Sequence, residues 1–214
     1  MTAPGSDADE IGTTGNDAIR AAAERAERTR DANRPQWDDL PVGDDTANLR
    51  QGADFDDALL GLLPLVGVWR GEGELVDPAA ERPSAFGQQI TVAHDGRPFL
   101  VWEARAWLLD GDGAVTGPTV RESGFWRPQA DGTIELVLAH DTGVVELYYG
   151  SARSLTSWEL QTDAVARTAS ARQVTGSTRL YGIVDGDLAY VDERALDDGA
   201  LAPYMSARLQ RIVG

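Results

Sequence analysis

Leu62-Leu63-Pro64-Leu65-Val66-Gly67-Val68-Trp69-Arg70-Gly71-Glu72-Gly73 is the stretch on which the fold turns. It places three glycines at spacings of four and two, with a tryptophan between the first pair. A dinucleotide fingerprint sets its glycines where a strand gives way to a helix. Here the string reads as a strand that continues. Glycine inside a strand marks a bend or the close approach of another backbone, and Trp69 is then expected to insert as a plug. Gly67, Trp69, Gly71 and Gly73 signal barrel closure, with direct ligand contact as the other reading.

C-terminal to this string the pattern is β throughout. Phe86, Gln88, Ile90 and Val92 alternate, as do Leu100, Trp102, Ala104, Ala106 and Leu108. So do Ile134/Leu136/Leu138, Val145/Leu147/Tyr149, Thr156/Trp158/Leu160 and Leu188/Tyr190. Asp95-Gly96, Asp110-Gly-Asp-Gly113, Asp131-Gly132, Asp141-Thr-Gly143, Asp185-Gly186 and Asp198-Gly199 separate the runs. Asp-Gly between alternating segments is a strong hairpin signal. About ten up-and-down strands are expected, with no crossover helix that would allow parallel pairing. One open sheet of that size would expose two edges, and closure removes them. The expected fold class is all-β: a closed antiparallel β-barrel wide enough for an interior cavity.

N-terminal to the string, Asp54–Leu63 reads as a short helix with acidic residues in its first turn and Pro64 as its stop. Residues 1–53 read as an acidic extension, and 54–214 as the barrel. Within the extension, 1–16 are expected to be disordered, 17–33 to form an alanine-rich helix, and 34–52 to be a linker anchored by Trp37 and Leu40.

Composition narrows the function. The 214-residue chain carries a net charge of −16, and its first 60 residues hold 14 acidic residues and six arginines. Such a surface repels phosphate backbones, so nucleic acid is not an expected partner. There is no apolar run of membrane-spanning length, no signal peptide and no cysteine for a disulfide, a thiolate metal site or a nucleophile. A cytoplasmic protein follows. All 19 basic residues are arginines, which removes Schiff-base chemistry. His94 and His140 adjoin turn signals and are expected at the rim as hydrogen-bonding residues. Two isolated histidines do not make a metal site. Glu103 and Glu122 lie mid-strand, facing either way.

Four segments together resemble the nitrobindins, a family that includes the fatty-acid-binding-protein-like barrels. These are Leu62–Gly73, Gly96-Arg-Pro-Phe-Leu100, Ile134-Glu-Leu-Val-Leu-Ala-His140-Asp-Thr-Gly143 and Leu201-Ala-Pro-Tyr204-Met-Ser-Ala-Arg-Leu209. The resemblance covers about residues 55–213. It implies a ten-stranded barrel with ferric haem b near its mouth, binding nitric oxide and isomerising peroxynitrite to nitrate, its iron held by a histidine on the last strand. In this chain Tyr204 stands at that position. Tyrosine ligates haem as phenolate, so its pKa near 10 would have to fall by about three units, roughly 4 kcal/mol. Strand parity sets Tyr204 opposite Met205, Ala207 and Leu209, so only a bulge or a strand end turns it inward.

Three readings stay open. The first is a non-haem barrel that lacks the iron-binding histidine and takes a lipophilic small molecule. The second is a haem-dependent peroxynitrite isomerase and nitric oxide binder with a non-histidine ligand. The third is a structural or interaction module. Residue patterns leave the oligomeric state open.

Overall fold

The computed structural model describes residues 7–31, 41–78, 80, 82–197 and 199–214, with side chains from residue 15 onward. Trp37 and Leu40, the expected anchors, lie outside the described residues. Two compact units divide at Val42/Gly43.

In the first unit, α1 spans Asp7–Arg28. It begins ten residues before the expected Asp17. Arg25 and Arg28 stand in its last turn, where positive charge complements the helix dipole. Residues 7–16, expected to be disordered, lie within it. Asp17–Arg20 and Glu27–Arg30 pair along it at 3.4 and 2.9 Å.

The second unit is the barrel. Its strands are β1 Gly67–Leu75, β2 Ser84–Ala93, β3 Leu100–Leu109, β4 Val115–Pro128 and β5 Thr133–His140. They continue as β6 Val144–Ser154, β7 Ser157–Arg167, β8 Val174–Val184, β9 Asp187–Leu196 and β10 Ala202–Val213. Each pairs antiparallel with its neighbours in sequence, and β1 closes on β10. The expected fold class is therefore the observed one.

A 3-10 helix, Asp57–Leu65, precedes β1. Pro64 was expected to end it but lies inside it. In a 3-10 helix the missing proline N–H would have bonded to the carbonyl three residues back. That carbonyl, of Gly61, instead accepts the Trp158 indole N–H at 3.0 Å, so the proline leaves no orphan. Asp56 caps the first turn by accepting from Ala58 N at 2.8 Å. Leu59, Leu62 and Leu65 are buried and stop the end of the barrel where β1 begins, here the lower end.

Trp69 is fully buried there, as the plug reading requires, and donates to Leu65 O at 2.8 Å. The Arg211 guanidinium lies 4.0 Å from its ring centroid and donates to the carbonyls of Val66 and Pro64. The last strand is thereby tied to the helix that stops the barrel. At Gly71 and Gly73 a Cβ would collide with the carbonyl oxygens of Arg208 and Ser206 on β10. The motif glycines are what let β1 and β10 approach at the closing seam.

Candidate functional site

The strands reach the opposite, upper end at the hairpins after β1, β3, β5, β7 and β9. The side chains below these hairpins face inward because burial alternates along each strand. On β4 the inward set is Glu122, Gly124 and Trp126; on β8 it includes Arg179 and Tyr181; on β9, Tyr190 and Asp192.

These inward positions carry charge. Arg179 grips Glu122 with both guanidinium nitrogens, at 3.0 Å to Oε2 and 2.6 Å to Oε1. It also donates to the hydroxyls of Tyr181 and Tyr148 at 3.0 and 3.1 Å and lies 3.3 Å from Asp192. Arg194 pairs with Glu146 at 3.2 Å and with Asp192 at 3.3 Å. His140 closes the network, with Nε2 2.7 Å from Glu146 and Nδ1 3.6 Å from Glu122. Ser177 donates its hydroxyl to Glu146, and Trp102 donates its indole N–H to Glu122 at 3.3 Å. Three carboxylates thus face two guanidiniums and one imidazole, all with side chains 5% exposed or less.

Burial raises each carboxyl pKa, and the cations decide the outcome. For Glu122 the Arg179 and His140 charges outweigh burial and bring it to about 2. Glu146 is held well below the usual carboxylate range against its own burial, by His140 and then Arg194 and Arg179. Asp192 stays raised, because burial exceeds the pull of the two arginines. A surface ion pair contributes little, but a buried one is strongly destabilised when a single partner is removed.

The structure corrects the histidine expectation. Neither residue is a rim hydrogen-bonder: the His140 side chain is 1% exposed inside the network, and His94 is buried at the lower end. There His94 exchanges backbone hydrogen bonds with Thr46 and meets the edge of Phe55 at 4.9 Å. Burial lowers its pKa. Of the two glutamates left undecided, Glu122 faces inward and Glu103 is exposed.

Tyr204 is where parity required an irregularity, and one is present. The β9–β10 register jumps from Pro203↔Glu193 to Met205↔Asp192, leaving Tyr204 as the bulged residue. Its carbonyl accepts from Val76 N at 2.7 Å. Its ring packs against the interior cluster, with the Arg194 guanidinium 4.5 Å from the ring centroid. The cation beside this phenol is Arg194 of β9, ten residues back along the chain and brought alongside by the β9–β10 pairing. It does not ionise the phenol, because burial raises the Tyr204 pKa more than Arg194 lowers it, and Asp192 and Glu122 raise it further.

These residues do not fit a haem-iron ligand set. The phenol stays protonated and stacks on a guanidinium, His140 faces two carboxylates, and His94 is at the far end. Of the four motif residues, Gly67 and Trp69 sit at the lower end, and Gly71 and Gly73 follow up the closing seam against β10.

Between β7 and β8 the ladder covers only Ser157–Gln161 against Gly182–Thr178. Above it the Thr162 side chain accepts from Ser177 N at 2.8 Å and donates to Ser177 O at 3.3 Å. Beyond this the strands part. Val144, Ala171 and Val174 form a small apolar cluster there with Val165 and Leu196.

Fold and site together define a closed antiparallel β-barrel with a buried charged network at one end. A family model described as the THAP4-like, heme-binding beta-barrel domain matches residues 58–211, and the chain belongs to this, the nitrobindin, family. It is 54% identical over 202 residues to a ferric nitrobindin-like protein of Saccharopolyspora erythraea, covering 94% of this chain and 95% of the relative. It is 55% identical over 210 residues to peroxynitrite isomerase 2 of Mycolicibacterium gilvum, covering 94% and 100%. The crystal structure of Rv2717c from M. tuberculosis is 30% identical and superposes with a TM-score of 0.66 over 74% of this chain and 99% of that one. Among the described residues no helix is long and apolar enough to cross a membrane.

Proposed function

We propose that this chain is a non-haem member of the nitrobindin family that takes a lipophilic small molecule at its upper end. Tyr204 carries the reading. It stands where the family resemblance puts the iron-binding histidine, its ring lies against Arg194, and its phenol is held in the protonated form by burial. Neutral phenol is a poor ligand for ferric iron, whereas neutral imidazole is a good one. The small, largely buried apolar cluster of Val144, Ala171, Val174, Val165 and Leu196, where β7 and β8 part, is the part of the upper end that a lipophilic guest would open and pack against.

The second reading is a haem-dependent peroxynitrite isomerase, favoured by relatives of that name at the same identity as those called ferric nitrobindin-like. Overall identity therefore does not choose between the two; the environment of Tyr204 supports the first.

Purification from cells supplied with a haem precursor tests the first part. A pyridine haemochromogen assay is expected to find far less than one haem per chain, and stoichiometric haem would overturn the reading. For the guest, an apolar fluorescent dye is expected to bind the wild type and to be lost in Val174→Asp. Equal binding by both would place the guest elsewhere.

A further inference from the structure

We infer that Arg194 is a second barrier to haem at this site, so that restoring an imidazole by Tyr204→His does not by itself restore iron binding. The inference rests on the non-haem reading and deepens it, by moving part of the cause from the ligand to the residue that covers it.

Tyr204 is turned into the barrel by a bulge, and the side it presents to the interior is covered by the Arg194 guanidinium 4.5 Å from the ring centroid. A side chain at this position reaches an iron only if that side is clear. Arg194 is not free to leave. Its Nη2 is 3.2 Å from Glu146 and its Nε 3.3 Å from Asp192, and its side chain is only 5% exposed. Glu146 is itself held by His140 and Ser177, and Asp192 by Arg179. Swinging Arg194 outward would leave Glu146 and Asp192 short of a cation in a low-dielectric interior. Leaving it in place sets a fixed positive charge against a ferric porphyrin core, which is itself positive, where screening is weakest. Bulk and charge both act against the macrocycle, and neither changes when residue 204 alone is replaced.

Haemin is titrated into four proteins and followed by its Soret band: the wild type, Tyr204→His, Tyr204→His with Arg194→Gln, and Tyr204→Phe with Arg194→Gln. Glutamine keeps a donor toward Glu146 while removing the charge. The Tyr204→His/Arg194→Gln protein is expected to bind one haem saturably, at least tenfold tighter than Tyr204→His, and the Tyr204→Phe/Arg194→Gln protein is expected not to bind. Near-ultraviolet circular dichroism checks that each is folded. If loss of Arg194 alone unfolds the barrel, Arg194→Met with Asp192→Asn removes one charge of each sign in the Tyr204→His background and carries the same expectation. Binding by Tyr204→His as tight as by Tyr204→His/Arg194→Gln would overturn the inference and leave the non-haem reading intact. A folded Tyr204→His/Arg194→Gln protein that does not bind would also overturn it. Saturable binding by the wild type, lost in Tyr204→Phe, would instead sink the non-haem reading on which the inference rests.

Discussion

The two ends of the barrel are built on opposite principles. The lower end is stopped by apolar surface: Leu59, Leu62 and Leu65 of the 3-10 helix, Trp69 beneath Arg211, and Trp158 bonded to Gly61. The upper end is braced by charge, with Glu122, Glu146 and Asp192 held against Arg179, Arg194 and His140. An apolar plug is non-directional and tolerates small shifts. A buried ion network is directional, and it fails when one member is removed. The barrel therefore has a structural end and an end whose chemistry is fixed by a few partners.

The sharpest way to break this contrast is to remove one charge. Arg179→Met leaves Glu122 without its two-nitrogen partner and is expected to cost about 3–5 kcal/mol in urea unfolding. Adding Glu122→Gln should recover part of that loss. A double variant no more stable than Arg179→Met would show that packing, not pairing, holds the upper end. At the lower end Trp69→Ala is expected to cost a similar amount, about 3–5 kcal/mol. A loss below about 1 kcal/mol would remove the plug from the account.

Acid sharpens the same comparison. Glu122 and Glu146 have folded pKa values below the ordinary 4.5. Their contribution is thus present above the unfolded value and lost as pH falls through the folded one, for Glu122 near 2. Asp192 is raised and acts in the opposite sense, its protonated form being the one the fold favours. Stability measured by urea unfolding should fall below about pH 4.5, and Glu122→Gln should flatten that fall while Trp69→Ala leaves its slope alone. The same acid slope in wild type and Glu122→Gln would contradict the assignment.

Smaller effects test the seam and the boundary. Gly73→Ala sets a methyl against the Ser206 carbonyl and is expected to cost about 1–3 kcal/mol. Removing residues 1–42 should leave cooperative unfolding unchanged, because the barrel unit begins at Gly43. Truncation to Asp54 also removes the Thr46–His94 bridge and should lower the midpoint slightly. Loss of cooperative unfolding in the first truncation would make the extension part of the core.

The two ends also differ in how far sequence reveals them. The lower end and the closed all-β fold were legible because their signals are local: alternation of period two, Asp-Gly turns, and glycines flanking Trp69. The helix that includes Pro64 was misread because the group replacing its missing N–H, Trp158, lies 97 residues from Gly61. The upper end was largely illegible for the same reason. Glu122 and Arg179 are 57 residues apart and Glu146 and Arg194 are 48 apart, so their pairing depends on which strands the barrel sets face to face. His140 looked like a rim residue because it adjoins a turn, yet an even position on β5 turns it inward. A charged residue in the buried phase, as at Arg179 before Tyr181, was the one available hint; at Glu146 the pattern misled, because the alternating set Val145/Leu147/Tyr149 faces outward, with Val145 and Tyr149 exposed. Tyr204 was marked by the resemblance alone, and the bulge that aims it was visible only as a parity conflict.

The central claim is that the tyrosine at the barrel mouth is a covered, protonated phenol and not an iron ligand. Titration of haemin into wild type and Tyr204→Phe, side by side and with an unrelated acidic protein as control, tests it most directly. The account predicts the same weak, non-saturating change in the Soret band for all three. A tight one-to-one shift in the wild type that disappears in Tyr204→Phe would contradict it, because it would show a tyrosinate–iron bond at the position argued here to be closed to one.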